Sequence, residues 1–399
     1  MNNSGKFLDP FSTTLPLSPL TIALVYNIKE EAHNQSSGSA HHQLIPADVE
    51  PSASLSPREI SLTADASLRA NDVYAEWDTI DTITAVKNAL EERHSVVMVE
   101  ANTSAYQRLA ETRPDFVFNI AEGLHGASRE AQMPAIFEML GLPYLGSDPL
   151  TLSVCLDKSR AKEILGYHGI PTAPFAVVDA MDEFEDVRVR FPSIVKPLHE
   201  GSSKGIYNSC VVKNAEELEH EVRTVLEVYK QPALIEEFLT GREFTVAILG
   251  NGRKLRVLPI VEIKFDALPR DMNAIYSYEA KWVLDRSDNP LEIFECPAHL
   301  DMELQEHIER ICTDAYRIFR CRDWSRIDVR LDSRGVPNIL EINPLPGILP
   351  KPEDNSCFPK SARAAGMSYN QLINNVLDIA LARAGVVSPK TKQNAAEIK

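Results

Sequence analysis

SRIDVRLDSRGVPNILEIN, residues 325–343, reads as two strands joined by a tight turn. Arg326–Leu331 and Pro337–Ile342 are the strands, and Asp332–Gly335 (DSRG) carries the turn residues of a hairpin. Two carboxylates interrupt the apolar strands, Asp328 in SRIDV and Glu341 in LEIN, and Asn343 ends the second strand. Residues two apart on a strand share a face, so Glu341 and Asn343 point the same way. Asp328, on the neighbouring strand, reaches that same face. Three oxygen donors at one spot suit a hard cation such as Mg²⁺ that also binds phosphate oxygens. The alternative is a cross-strand polar pair satisfied by Arg326. Buried carboxylates are costly unless a metal or a partner compensates them.

Three segments upstream extend this reading. In Ile194–Ile206, IVKPLHEGSSKGI, a short apolar strand delivers Lys196 into a loop of Gly201, Ser202, Ser203, Lys204 and Gly205. Glycines let backbone N–H groups fold over phosphates, and lysine supplies the opposing charge; alone, the stretch is also readable as an ordinary hairpin turn. In Leu234–Val246, LIEEFLTGREFTV, the acidic Glu236, Glu237 and Glu243 lie in or beside strands. They form either a solvated face or a connection that clasps adenine and ribose, since carboxylates accept hydrogen bonds from sugar hydroxyls. Tyr278–Trp282, YEAKW, falls in a stretch of poor periodicity read as a loop. Its Lys281 is either solvated or closes over a transferred phosphate.

Around these segments the chain alternates strands and helices. Leu20–Tyr26 has buried-strand length, whereas about 29–71 is rich in Ser, Ala, Pro, His and Asn and reads as an insertion or mobile loop. A helix at Ile80–Glu92, a strand at Ser95–Glu100, a helix at Ala105–Thr112, a strand at Asp115–Asn119 and a helix at Arg129–Leu140 imply a parallel, doubly wound unit. The loop Ile120–Ser128 then lies at carboxyl ends of strands, where ligands bind. A second unit has a helix at Leu156–Gly166, strands at Phe175–Val178, Ser193–Pro197 and Ser209–Val212, and a helix at Ala215–Val228. A third has strands at Ala233–Leu239, Glu243–Leu249 and Arg256–Ile263, a helix at Asp301–Phe319, the 325–343 hairpin and a helix at Tyr369–Ala384.

The 399 residues suit two or three packed α/β subdomains, and 44% hydrophobic residues provide a normal soluble core. A net charge of −16 opposes nucleic acid as a general partner. The six cysteines form no C-x-x-C pair and fit a reducing compartment rather than a zinc or disulfide framework. No signal peptide and no run near the ~18 apolar residues of a membrane span are present, so a cytoplasmic protein without membrane association is expected.

Taken together and in order, MLGLPYLGSDPLTLSVCLDKSRAK, IVKPLHEGSS, LTGREFTVAILG, YEAKW, SRIDVRLD and LEINPLPG resemble the ATP-grasp superfamily and, closely, the D-alanine–D-alanine ligase family. The resemblance runs from about Asn119 to Ala384. It implies an α/β (α+β) ATP-grasp fold of three subdomains: an N-terminal doubly wound parallel sheet in 1–148, a lid subdomain in 149–236 and a catalytic subdomain in 237–386, followed by a flexible tail, 387–399. It also implies residue roles. Lys158 and Lys196 contact the ATP phosphates, and Ser202, Ser203 and Gly205 form the phosphate lid. Glu236, Glu237 and Leu239 hold adenine, Glu243 the ribose, and Lys281 the γ-phosphate. Asp328, Glu341 and Asn343 bind two Mg²⁺, with Mn²⁺ able to replace them. Arg326 and the backbone of Gly347 stabilise an oxyanion and the substrate.

Departures from the family pattern gather around the amino-acid pocket. The Ser-x-Glu-Arg motif is absent after Tyr26, and Glu76, ahead of the Ile80–Glu92 helix, is the candidate replacement. His125 is a candidate first-substrate contact. Trp282 stands where a Tyr often bridges the lid serine, and Ser356, after the extra residues KPED, is a candidate for the second substrate. The expected reaction joins a carboxylate to an amine through an acyl phosphate, with D-alanine dimerisation for the cell wall foremost. The alternatives are other amino acids, a hydroxy acid or a carrier-bound acyl group, with a carrier protein as partner, and a catalytically inactive ATP-binding protein. Family precedent points to a homodimer.

Overall fold

A computed structural model describes residues 19–29, 72, 76–123, 125–285 and 290–386. The insertion expected at 29–71, Lys29 aside, and the tail expected at 387–399 lie outside these residues. Chain order begins β1 (Thr21–Tyr26), α1 (Ile80–Glu91), β2 (Ser95–Glu100), α2 (Ala105–Thr112), β3 (Phe116–Asn119) and α3 (Gln132–Leu140). The three strands form a parallel sheet in the order β2-β1-β3. Its central strand is apolar from Ile22 to Val25, as a strand covered on both faces requires, and these four residues are fully buried. The helix expected at Arg129–Leu140 opens with a 3₁₀ turn at Arg129–Ala131 before α3 begins.

Next come α4 (Pro149–Leu156) and α5 (Lys158–Tyr167), where one helix starting at Leu156 is expected. Asp157 separates them with an extended ψ of 95°, and its carboxylate accepts from the backbone N–H of Ser159 and Arg160. This N-cap places Lys158 at the first helical position, aimed at the central cavity. The second sheet is antiparallel, in the order β4 (Phe175–Val178), β7 (Ala233–Glu237), β5 (Ser193–Pro197), β6 (Val211–Val212), with α6 (Ala215–Thr224) against it. The strand expected to open the third unit, Ala233–Leu239, therefore belongs to the second sheet. α6 continues into a π-helical turn at Val225–Tyr229.

The third sheet has six antiparallel strands: β8 (Glu243–Leu249), β9 (Arg256–Val257), β10 (Val261–Ile263), β11 (Phe294–Glu295), β12 (Trp324–Leu331) and β13 (Pro337–Asn343). β9 and β10 replace the single strand expected at Arg256–Ile263, since Pro259 lies between them and has no N–H for a ladder. β12 lies between β8 and β13, and α7 (Met302–Ile318) packs on this sheet. Two helices follow, α8 (Cys357–Ala364) and α9 (Tyr369–Ala384). α9 opens with a Ser368–Gln371 capping box and ends at Gly385, whose φ of +65° closes the last turn.

The first and third sheets share one core. Trp324, fully buried, meets Phe118 edge-on at 6.1 Å and Phe358 at 5.8 Å. α9 packs on α1, with Leu372, Ile373, Val376 and Leu377 completely buried and Asn374 donating to the Ala89 carbonyl at 2.8 Å. No helix among the described residues is long and apolar enough to cross a membrane.

Candidate active site

A cavity of about 770 Å³ opens where the three sheets meet. Its floor is the β12–β13 hairpin. Asp328 pairs with Glu341 across the ladder, and a register shift follows between Asp328 and Val329. Arg326 donates through Nε and Nη2 to the two oxygens of Asp328, at 3.1 and 2.9 Å, and lies 3.7 Å from Glu341. The Asn343 amide reaches Asp328 at 3.2 Å and Glu341 at 3.4 Å. Lys158 stands 3.7 Å from the other Glu341 oxygen. Burial pushes both carboxylates up; Lys158 and Arg326 overcome this at Glu341, which stays well below its ordinary range. Asp328, beside Glu341, is held above its ordinary value despite Arg326.

One wall of the cavity belongs to the second sheet. Lys196 on β5 and Glu236 on β7 meet at 2.5 Å, and Lys162 on α5 binds the other Glu236 oxygen. Burial would raise the Glu236 carboxyl, but the two ammonium groups hold it at about 2. Glu237 and Leu239 line the cavity beside it. Glu243 also lines it and is paired with the buried Arg330 at 2.8 Å.

The glycine-rich loop lies over the cavity. Ser202 and Ser203 adopt left-handed φ values of +50° and +61°. The Ser203 hydroxyl donates to the Tyr276 carbonyl at 2.8 Å, and the Trp282 indole N–H donates to the Ser202 carbonyl at 3.2 Å. Trp282 and Lys281 sit in a π-helical turn, Glu279–Leu284, not in the loop expected there. Lys281 faces the cavity from that turn, and burial together with the nearby Arg326 lowers its ammonium to about 8.

Glu76 lies at the opposite wall with both oxygens engaged. Arg129 donates to them at 2.6 and 2.7 Å, and the Gly201 N–H donates at 2.6 Å. A Cβ at Gly201 would come within 2.8 Å of the Glu76 carboxylate, so a side chain there would displace this contact. Asp78, Glu122 and Glu130 line the same wall, and burial raises the Asp78 carboxyl to about 7. Gly347 and Ser356 meet at the far end, where the Ser356 hydroxyl donates to the Gly347 carbonyl and accepts from Leu349 N–H, both at 3.2 Å.

Lys158, Lys196, Ser202, Ser203, Glu236, Glu237, Leu239, Glu243, Lys281, Asp328, Glu341, Asn343, Arg326, Glu76, Trp282, Gly347 and Ser356 all border this one cavity. Two expected residues do not. His125 is exposed and off the cavity wall; its loop turns outward at Gly126, whose φ is +93°. Gly205 supports the lid from behind: its φ is +74°, and a Cβ would lie 2.3 Å from the Pro197 ring. Arg129 and Glu200 escaped the sequence reading. Glu200 pairs with Lys204 at 3.1 Å and Arg129 at 3.3 Å, although it lies inside the IVKPLHEGSSKGI stretch.

The family model for the D-Ala–D-Ala ligase C-terminus matches residues 164–378, more than half of the chain. The chain belongs to the D-alanine–D-alanine ligase family. Within that family, the D-alanine–D-alanine ligase of Pelotomaculum thermopropionicum is 30% identical over 322 residues, covering 77% of this chain and 93% of that one. The Bordetella avium D-alanine–D-alanine ligase is 35% identical over 257 residues, 64% of this chain and 75% of its own. A Sinorhizobium fredii relative, named uncharacterized protein y4sG, is 38% identical over 264 residues, 66% of this chain and 74% of its own. The fold is that of the D-alanine–D-alanine ligase from Bacillus anthracis crystallised with ATP: TM-score 0.58 at 22% identity, covering 91% of this chain and 98% of that one. It is the ATP-grasp fold of the family, with its N-terminal parallel sheet.

Proposed function

We propose that the protein is an ATP-dependent carboxylate–amine ligase that forms a peptide bond through an acyl phosphate. The observation that carries this reading is the convergence of Asp328, Glu341 and Asn343 with Lys158, Lys196, Lys281 and Arg326 on one cavity. The donor set fits Mg²⁺. Two neighbouring carboxylates and an amide whose oxygen would have to turn inward, since its nitrogen now faces both carboxylates, form an open set of hard oxygens, and a divalent cation would offset the burial and the Glu341 charge that hold Asp328 up. The set contains too few protein ligands for a closed cage, which suits an ion that also takes phosphate and water. Asp328, Glu341 and Asn343 would hold Mg²⁺, which when bound neutralises phosphate charge during transfer.

The chain's own groups do the rest. Lys158, Lys196 and Lys281 bring positive charge to the triphosphate. Glu236, Glu237 and Leu239 line the adenine end, and Glu243 the ribose. The substrate carboxylate attacks the γ-phosphorus and ADP leaves, giving an acyl phosphate. A neutral amine then attacks the acyl carbon, and inorganic phosphate departs. Arg326 and the Gly347 N–H stand where they can stabilise the tetrahedral oxyanion. The acidic wall of Asp78, Glu122 and Glu130 suits substrates that arrive with an ammonium group.

D-Alanine is the first amino acid to test, since the named relatives are D-alanine–D-alanine ligases. A second reading, another amino acid or acyl donor, is favoured by one observation. Glu76, the candidate replacement for the motif's glutamate in the amino-acid pocket, is already occupied by Arg129 and Gly201. Incubation with ATP, Mg²⁺ and a panel of D- and L-amino acids, read by ADP formation and product mass, decides between them. D-Alanyl-D-alanine as the sole product supports the first reading and a different dipeptide the second. No acceptor-dependent ADP formation across the panel would overturn both. Glu341→Ala is expected to abolish Mg²⁺-dependent turnover with an unchanged circular dichroism spectrum, and full activity would remove its assigned role.

A further inference from the structure

Asp72 is 1% exposed, and among the described residues its hydrogen bonds run to the phosphate loop and the element behind it. One of its oxygens, Oδ2, accepts from the Gly205 N–H at 3.0 Å, the Tyr229 hydroxyl at 2.7 Å and the Tyr207 hydroxyl at 3.4 Å. Gly205 and Tyr207 belong to the phosphate loop and its continuation, and Tyr229 ends the π-helical turn after α6. Four positions later in sequence, Glu76 accepts the Gly201 N–H. Two carboxylates four residues apart thus grip two loop amides, also four residues apart, on either side of Ser202 and Ser203. Glycine is required at Gly205 because the Pro197 ring lies 2.3 Å from where a Cβ would sit, so the chain passes close there with its N–H turned to Asp72. A buried carboxylate is costly unless donors surround it. Among the described residues its donors lie on the loop and on the element behind it, so its burial is linked to the loop lying in this position.

We propose that Asp72 is a positioning residue that holds the phosphate lid shut while the acyl phosphate exists. This rests on the ligase reading given above. With the lid open, water can attack the acyl phosphate, releasing inorganic phosphate and regenerating the carboxylate. The net reaction is then ATP hydrolysis without a peptide bond. Asp72 guards coupling rather than phosphoryl transfer itself.

Two variants of the full chain separate geometry from charge. Asp72→Ala removes all three accepted bonds. Asp72→Asn keeps a carbonyl oxygen in the same place and removes only the charge. Amide exchange over Gly201–Tyr207 is measured with Mg²⁺ and a non-hydrolysable ATP analogue, without any amino acid. Asp72→Ala is expected to speed exchange of these amides about tenfold, as the loss of several modest hydrogen bonds predicts, while Asp72→Asn stays near wild type. With an amino acid that wild type uses, Asp72→Ala is expected to raise the ratio of phosphate released to peptide formed, with little change in KM for ATP. Asp72→Asn restores that ratio. Unchanged lid exchange in Asp72→Ala, or Asp72→Asn matching Asp72→Ala, would overturn the proposal. Failure of wild type to form any peptide would instead count against the ligase reading, and the exchange measurement would still decide the lid contact.

Discussion

Lys281 shows how a single residue acquires its role from its surroundings. It makes no ion pair among the described residues, and its ammonium lies 5.1 Å over the Trp282 ring. Burial and the Arg326 charge lower it to about 8, below the ordinary lysine range. Bound phosphate favours the charged form, so the free protein must take up a proton to bind ATP once the pH exceeds about 8. ATP affinity is therefore expected to be flat below pH 8 and to fall above it by up to about tenfold per unit. Lys281→Met should bind ATP more weakly at pH 7 and lose this dependence. Calorimetry across pH 7 to 9.5 checks both, and a wild-type affinity that holds constant over that range would exclude the role. A lysine in YEAKW is visible in the sequence. Its lowered pKa is not, because burial and Arg326 come from elements distant in sequence.

At the scale of elements, local backbone features aim the side chains. Asp157 ends α4 and caps α5, which brings Lys158 to the cavity. The sequence reading has one helix, Leu156–Gly166, and contains neither α4 nor the break at Asp157, because the break is set by a cap. The π-helical turn at Glu279–Leu284 was equally hidden, since its spacing does not follow the 3.6-residue period. Gly205 is the most exacting position of the lid. Its φ of +74° and the 2.3 Å approach to Pro197 leave no room for a methyl group. Gly205→Ala is expected to displace the loop and to lower turnover at least about tenfold, while the thermal midpoint changes little because the rest of the fold does not depend on the lid. Steady-state kinetics beside a melting curve test this; a large drop in the midpoint would show that the loop is part of the folding core instead.

At the scale of the whole molecule, the buried Asp323 joins three distant parts of the chain. Its oxygens accept from the Gly146 N–H, the Asn251 amide and Arg383 Nε and Nη2, each at 2.8 Å. Gly146 leads from the first sheet, Asn251 follows β8 and Arg383 ends α9. Asp323→Ala leaves the Gly146 N–H without its acceptor and the partly exposed Arg383 guanidinium with the Tyr144 carbonyl alone, a loss expected at about 2–3 kcal/mol. Urea unfolding is expected to show that loss, and a change under about 1 kcal/mol would mean that the junction relaxes around the substitution. Asp323 had no place in the sequence reading. CRDWSRID shows an acid next to a tryptophan, and its three partners lie 60 to 177 positions away.

Most strand and helix identities and the hairpin at 325–343 were legible from local pattern, and the ordered motifs marked the charged residues that line the cavity. Alternation and apolar runs decide what each short stretch can bury, and Asp328, Glu341 and Asn343 must share a face once β12 and β13 pair. Only the tertiary structure decided how these charges are spent. It put Glu236 between Lys162 and Lys196, Glu243 on Arg330 and Glu76 on Arg129 and the lid, and it left His125 outside. The reason is physical: a side chain's face is fixed by its own backbone, whereas its counter-charge is supplied by whichever distant element packs against it.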